Sequence, residues 1–273
     1  MRLLALALAL LAASARAEPL PLWELGAGAA ALSLPDYRGS DERRGYLFPL
    51  PYLVVRDRRL RLDREGARAV LFESTRLELN ISANAAPPVN SDENQARQGM
   101  PHLDPTFEAG PQAQLTLFGS QASDTRLDLR LPARAVIATD LSYADAVGFV
   151  FYPHLNLRLR PAIGGGQWNL GLQAGPLFAT RKFHQYFYGV DARFATPQRP
   201  AYSAPGGYSG AMALASLSRR LQKVWVGGFV RYDALSGAAF DDSPLVKRKS
   251  SVMAGVAFAY VFAESAEKVE ARD

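Results

Sequence analysis

The sequence predicts an all-β protein, a transmembrane antiparallel up-and-down β-barrel of about 12 strands behind a cleaved export signal. Three observations predict it. Apolar and polar residues alternate with period two in segment after segment, as in strands with two unlike faces. The segments often run to 11–14 residues, whereas a tilted membrane strand needs about 9–11 and a soluble strand averages about five or six. Long connections alternate with tight ones, which places loops at one end of a barrel and turns at the other.

The chain opens MRLLALALALLAASARA, with basic Arg2, an apolar run from Leu3 to Ala13 and a small-x-small ending at Ala15-Arg16-Ala17. That pattern is a signal peptide over 1–17, cut after Ala17. A retained anchor is the alternative, but the run falls short of the roughly 20 residues that span a bilayer. There is no Cys in the 273 residues. A lipoprotein anchor is thereby excluded, and an exported fold without disulfides must rest on burial or on a closed sheet. The net charge is +5, and the signal segment carries two of the positives. The mild remainder gives no reason to expect a nucleic-acid partner. No later apolar run is long enough for a membrane helix. A membrane location therefore requires a barrel, because only helices and closed barrels satisfy every backbone polar group in lipid.

Strands are expected near 22–33, 46–56, 59–64, 68–73, 75–82, 106–118, 124–138, 146–160, 166–180, 207–219, 222–235 and 250–262. The break in alternation at 73–75 leaves ten strands as the alternative count. In 124–138, Leu127, Leu129, Leu131 and Ile137 oppose Arg126, Asp128, Arg130 and Arg134. In 146–160, Val147, Phe149, Phe151, Leu155 and Leu157 oppose Tyr152, His154, Asn156, Arg158 and Arg160. In 106–118, Phe107, Leu115 and Leu117 oppose Glu108, Gln112, Gln114 and Thr116. The apolar faces carry aromatics for two interfacial girdles: Trp23, Tyr46, Phe48, Tyr52, Phe149, Phe151, Trp168, Phe178, Tyr232, Tyr260 and Phe262. The opposite faces suit a wet lumen.

The long connections are 34–45, 83–105, 139–145, 181–206 and 236–249; the tight ones lie at 57–58, 64–67, 119–123, 161–165 and 220–221. SVMAGVAFAYVF at 251–262 reads as the closing strand, its bulky residues toward lipid and its small ones inward. The barrel is thus placed at 18–262. The polar tail 263–273 follows, as a short helix or disordered, on the periplasmic side with the N-terminus.

Chemistry is sought on the polar faces. The candidate lumen cluster is Glu108, Arg126, Asp128, Arg130, Arg134, Arg158, Arg160, Arg231 and Asp233. Its excess of arginine fits an anion-leaning pore, but a narrow barrel favours an ion-paired plug. The only histidines are His102, His154 and His184. His154 has no Ser on its strand to activate, and the other two are in loops without a ligand cluster. No catalytic residue, metal site or cofactor is expected. The loop from Tyr186 to Tyr208, rich in aromatics and Pro, is read either as an inward plug or as a binding surface.

Several ordered pieces carry a family resemblance. They are Pro35-Asp36-Tyr37-Arg38-Gly39-Ser40, Tyr46-Leu47-Phe48-Pro49-Leu50-Pro51-Tyr52, Tyr186-Phe187-Tyr188-Gly189-Val190, the loop Pro200 to Tyr208, and Asp242-Ser243-Pro244-Leu245-Val246. Together they resemble the MipA/OmpV family, named for the MltA-interacting protein, over nearly the whole mature chain. Its motif-like residues here are Pro35, Tyr37, Gly39, Ser40, Tyr188, Gly189, Asp242, Ser243 and Pro244. The resemblance implies a non-enzymatic barrel in the outer membrane of a Gram-negative bacterium, surrounded by outer-membrane lipid. It also implies a scaffold that links a lytic transglycosylase to a penicillin-binding protein in peptidoglycan (murein) synthesis. A small-solute channel and an adhesin are the alternatives.

Overall fold

Period-two alternation makes the strands, and one continuous ladder joins them. The computed structural model describes residues 19–57, 59–63, 66–121, 123–140 and 142–270. The expected signal segment 1–17, position 18 of the expected barrel, positions 58, 64, 65 and 122 of the expected tight turns, 141 of the expected connection 139–145, and 271–273 of the expected tail lie outside the described residues.

The strands are β1 (Trp23–Pro35), β2 (Arg43–Arg56), β3 (Leu60–Asp63), β4 (Gly66–Glu73), β5 (Leu77–Ala86), β6 (Thr106–Phe118) and β7 (Thr125–Thr139). Next come β8 in two halves (Ala144–Phe151 and His154–Leu159), β9 (Asn169–Ala179), β10 (Gly207–Leu221), β11 (Val224–Ala234) and β12 (Ser250–Glu264). Both halves of β8 lie along β7, with Arg134 opposite Val150 and Leu129 opposite Leu155. Pro153 sits at the break, where it has no N–H to give to a ladder. β12 returns onto β1, with Val256 opposite Ala31, and closes a 12-stranded antiparallel barrel. The count is twelve because β4 and β5 are separate strands on either side of residues 74–76.

The distribution of side chains inverts that of a soluble protein. Leu47 is 81% exposed, Leu71 69%, Val256 65% and Phe149 61%. Asn80, Gln114, Asp128 and Asn156 are buried. An apolar outer belt around a polar interior is stable only where the surroundings are hydrocarbon.

Two expectations about the faces are corrected. Val147 is buried rather than outward. It is the extra residue of a bulge, since Val136 opposes Gly148 and Ile137 opposes Ala146, and this turns it onto Val136 and Val150. Tyr46, Phe48 and Tyr52 do not join the outer girdle. They share the inward parity of buried Val54, and the Tyr52 ring lies 5.8 Å from that of Trp225 inside the barrel.

The connections β1–β2, β5–β6, β7–β8, β9–β10 and β11–β12 gather at one end, here the loop end. The β9–β10 loop carries helix α1 (Arg181–Tyr188). The loops share a core of their own built on Tyr37, Leu103, Tyr188, Leu235, Phe240 and Leu245. At the turn end, Pro19–Pro21 pairs antiparallel with Lys268–Glu270. Lys268–Glu270, within the expected tail, is thus a strand rather than part of a short helix.

The closing seam predicts a first outcome. A Cβ on Gly28 would lie 1.8 Å from the carbonyl oxygen of Phe258 on β12. The unboiled protein should migrate apart from the boiled protein in a detergent gel. Gly28→Leu should lower the temperature of that conversion, as expected for about 1–3 kcal/mol of overpacking.

Candidate functional site

The interior is polar along β5 to β8, and ion pairs also cross it at the turn end and near the loop end. At the turn end, Glu24 of β1 takes Arg56 of β2 at 3.0 Å and also Arg220 of β10. Arg61 of β3 reaches Glu78 at 2.8 Å and Glu73 at 2.7 Å. Arg126 donates to Asp128 at 2.7 Å, and the Thr116 hydroxyl donates to the same carboxylate oxygen at 2.9 Å. Higher up, Arg134 lies between Ser82 at 3.0 Å and Glu108 at 3.4 Å. Near the loop end, fully buried Asp233 holds Arg231 at 2.8 Å and Arg38, from the β1–β2 loop, at 2.7 Å.

The expected lumen residues thus form separate pairs rather than one cluster. Arg126–Asp128, Arg134–Glu108 and Arg231–Asp233 are brought together. Arg130 is buried opposite His154 in the ladder. Arg158 donates to the Gln121 carbonyl at 3.1 Å, in the β6–β7 turn. Arg160 lies beyond the end of β8, where its backbone amide bonds to the Asp124 carbonyl at 2.8 Å. Glu24, Arg38, Arg56, Arg61, Glu73, Glu78 and Arg220 were not foreseen. The inward parity Glu24-x-Gly26-x-Gly28 carried a signal for the first. Arg56 and Arg220 stand at strand ends, where a cation reads as a turn residue.

The other side of the interior is apolar, which corrects the expectation of a wet lumen all round. β12 turns Gly255, Ala257 and Ala259 inward, and β1 turns Gly26, Gly28 and Ala30 inward. This strip of small residues makes room for large neighbours. Leu32 and Phe229 meet over Gly255, where a Cβ would lie 2.4 Å from one and 2.6 Å from the other. Trp225 folds over Gly227 in the same way.

The family-like motif residues build the lid over the loop end. The Tyr37 hydroxyl donates to the Leu245 carbonyl at 2.8 Å, and the Tyr188 hydroxyl donates to the Arg38 carbonyl at 3.0 Å. The Ser243 hydroxyl donates to the Tyr188 carbonyl at 2.7 Å. The Gly39 carbonyl accepts from the amides of Lys247 and Arg248, at a φ of +93° that favours glycine. Ser40 accepts from Asn94 at 3.2 Å, and Tyr202 donates to Asp242. Gly189 ends α1, Pro35 ends β1, and Pro244 lies half-buried between buried Ser243 and Leu245. Tyr188 stacks on Phe240 with ring centroids 3.6 Å apart. These residues are an architectural signature with no reactive grouping.

The histidines also serve structure. His154 bonds through Nδ1 to the Tyr152 carbonyl at 2.8 Å and stacks on that ring. His102 accepts the Ser91 amide at 3.0 Å. His184 is fully buried, with Nδ1 toward the Pro205 carbonyl at 2.6 Å and Nε2 toward the Ser209 hydroxyl. That His–Ser contact is oriented by a carbonyl instead of a carboxylate, and Ser209 is only 1% exposed. Among the described residues no group of three or more His, Cys, Asp or Glu is placed to hold a metal.

A family model described as MltA-interacting protein MipA matches residues 27–262, from β1 to the end of the bulky run of β12. No curated protein matches the chain.

Two outcomes follow from the lid and its anchor. Asp233→Leu leaves Arg38 and Arg231 facing each other without their carboxylate. Its expected cost is about 3–5 kcal/mol, read as a lower unfolding midpoint, while Arg38→Met should cost less because Arg231 keeps its partner. The second concerns pH. Burial holds the His184 imidazole below its ordinary value of 6.5, and the nearby Arg38 charge acts in the same direction. Its contribution is therefore complete above pH 6.5 and is lost as pH falls toward the depressed folded value, since the unfolded chain then binds the extra proton. Proteolysis within 180–206 should rise as pH falls from 7 to 5, and His184→Gln should flatten that dependence.

Proposed function

The chain belongs to the MltA-interacting protein MipA family, and on that premise we propose that it is an outer-membrane scaffold. In this reading it holds a membrane-bound lytic transglycosylase beside a bifunctional penicillin-binding protein during peptidoglycan synthesis. The family and a closed barrel with an apolar outside fit an outer-membrane protein.

The observation that carries the scaffold reading is that both ends of the interior are occupied by the chain itself. The lid covers the loop end, and Glu24, Arg56, Arg61, Glu78 and Arg220 tie strands together across the turn end. A solute path would have to break buried ion pairs, each about 3–5 kcal/mol to unmake by loss of one partner. This disfavours the channel and leaves the outer surfaces to act. In a barrel with an even strand count the turn end faces the periplasm, where the peptidoglycan enzymes work. There the ribbon of Pro19–Pro21 and Lys268–Glu270 adds a strand pair that belongs to no part of the barrel wall. Such a short unpartnered ribbon offers its free edge to a partner's strand.

The expected outcome is that tagged full-length protein, solubilised from envelopes, enriches a lytic transglycosylase or a penicillin-binding protein. A chain ending at Ser265 should keep its heat-modifiable mobility and lose most of that enrichment. Enrichment of neither enzyme, under conditions that preserve other envelope complexes, contradicts the scaffold. A steady conductance in planar bilayers that falls in Arg130→Gln or Arg158→Gln would support the channel instead.

A further inference from the structure

β2 is bonded along one edge only over most of its length. It pairs with β1 over thirteen positions, from Trp23–Val55 to Pro35–Arg43, but among the described residues with β3 only at Val55–Leu62 and Arg56–Arg61. β3 has 4 residues and β4 has 8. On the far side, Ala83 to Ala86 of β5 pair with β6 and not with β4. Between Gly45–Pro51 and Ala83–Ala86 the described residues form no ladder. The wall there has a lateral opening, bordered on the β2 side by about 20 Å of strand edge that pairs with no described residue, at the usual rise per residue.

Three features mark the opening as built. The first is the placement of proline. Arg56 gives its amide to the Leu22 carbonyl on the β1 side, at 2.8 Å. Amides alternate across a strand, so even-numbered residues of β2 donate toward β1 and odd-numbered ones face the opening. Pro49 and Pro51 are odd. They remove two N–H groups where hydrocarbon would offer no acceptor, and they blunt the edge against a strand from a second copy. The second is exposure. Phe48 and Asn84 have inward parity yet are exposed, Phe48 to 40%, whereas inward Asn80 and Ser82 are buried. The third is the lining. Tyr46, Phe48 and Leu50 have inward parity on the apolar side of the interior, opposite Leu32, Ala30 and Gly28 of β1. Outside, Leu47, Leu53, Leu71 and Phe72 are exposed in the same belt. The loop-end rim is fastened by Arg44 to Asp36 at 2.9 Å and by the Gln95 amide to the Glu42 carboxylate at 2.7 Å.

We infer that this opening admits an acyl chain of a membrane lipid, which lies inside the barrel along Tyr46, Phe48 and Leu50. Hydrocarbon is the medium on the outer side, the edge disfavours a β-strand, and the lining behind it is aromatic and aliphatic. The inference rests on the membrane-barrel reading and is independent of the scaffold role.

The test places the full-length chain in phosphatidylethanolamine–phosphatidylglycerol vesicles. A minor fraction of the phosphatidylethanolamine carries a diazirine midway along one acyl chain. After irradiation, adducts are mapped by peptide mass spectrometry. Adducts are expected on inward Phe48 and Leu50 as well as on outward Leu47 and Val256. Leu50→Asp places a charge on the path and should cut the Phe48 adducts about tenfold while leaving those on Val256 unchanged. The wild-type map stands even if that variant fails to fold. Adducts on outward residues alone overturn the inference, as does chain-to-chain coupling along β2, which would mean a second copy covers the edge. Loss of adducts on Val256 as well would overturn the membrane-barrel reading itself.

Discussion

A strand in hydrocarbon has no water for its amides and carbonyls, so the return of β12 onto β1 is the interaction on which the rest depends. The seam runs from Ala254–Ser33 to Glu264–Glu24 with one bulge near Val261. Without it, two long strands would each present an open edge to lipid. The residues at the seam suit close approach. Gly26 and Gly28 lie against the β12 backbone so tightly that neither position has room for a Cβ. Once the sheet is closed, its inner face over β5 to β8 is shielded from lipid, and glutamines, arginines and carboxylates become tolerable there provided they pair.

The strip of small residues has a second consequence. Glycine and alanine along the inner faces of β12 and β1 leave space that Leu32, Phe229, Trp225 and the aromatics of β2 occupy. The middle of the interior is therefore two-sided, with ion pairs and amides over β5 to β8 and hydrocarbon over β11 to β2, between Arg231–Asp233 near the loop end and Glu24–Arg56 at the turn end. The lid is bound to this arrangement by one buried group. Asp233 of β11, which also holds Arg231, bonds directly to Arg38 of the β1–β2 loop. The Tyr188 hydroxyl then donates to the Arg38 carbonyl, so loop packing and lumen electrostatics are one construction.

Most of the strands were legible because the physics that makes them is local. Outward Leu127, Leu129 and Leu131 against inward Arg126, Asp128 and Arg130 define a face by parity alone, and 106–116 follows the same rule up to the bulge before Phe118. Parity fails where both faces are apolar. In Tyr46 to Val54 nothing in the composition says which residues meet lipid, and only the pairing with Gly26, Gly28 and Ala30 decides it. It fails again at a bulge, where one added residue sends Val147 inward. The ion pairs were half legible. Arg126–Asp128 and Arg231–Asp233 are neighbours in sequence, whereas Arg38–Asp233 joins residues 195 positions apart. The motif residues marked a family, but their role in the lid depends on contacts between loops that sequence order does not show.

The central claim is that the bulky face of the closing strand β12 meets lipid and its small face does not. The absence of native cysteine makes it directly measurable. Single cysteines placed along 252–262 and spin-labelled in vesicles would report oxygen and water accessibility residue by residue. The account predicts oxygen access with period two, high at Val252, Val256, Phe258, Tyr260 and Phe262 and low at Gly255, Ala257, Ala259 and Val261. Water access at the bulky positions, or a flat profile along the strand, would contradict it.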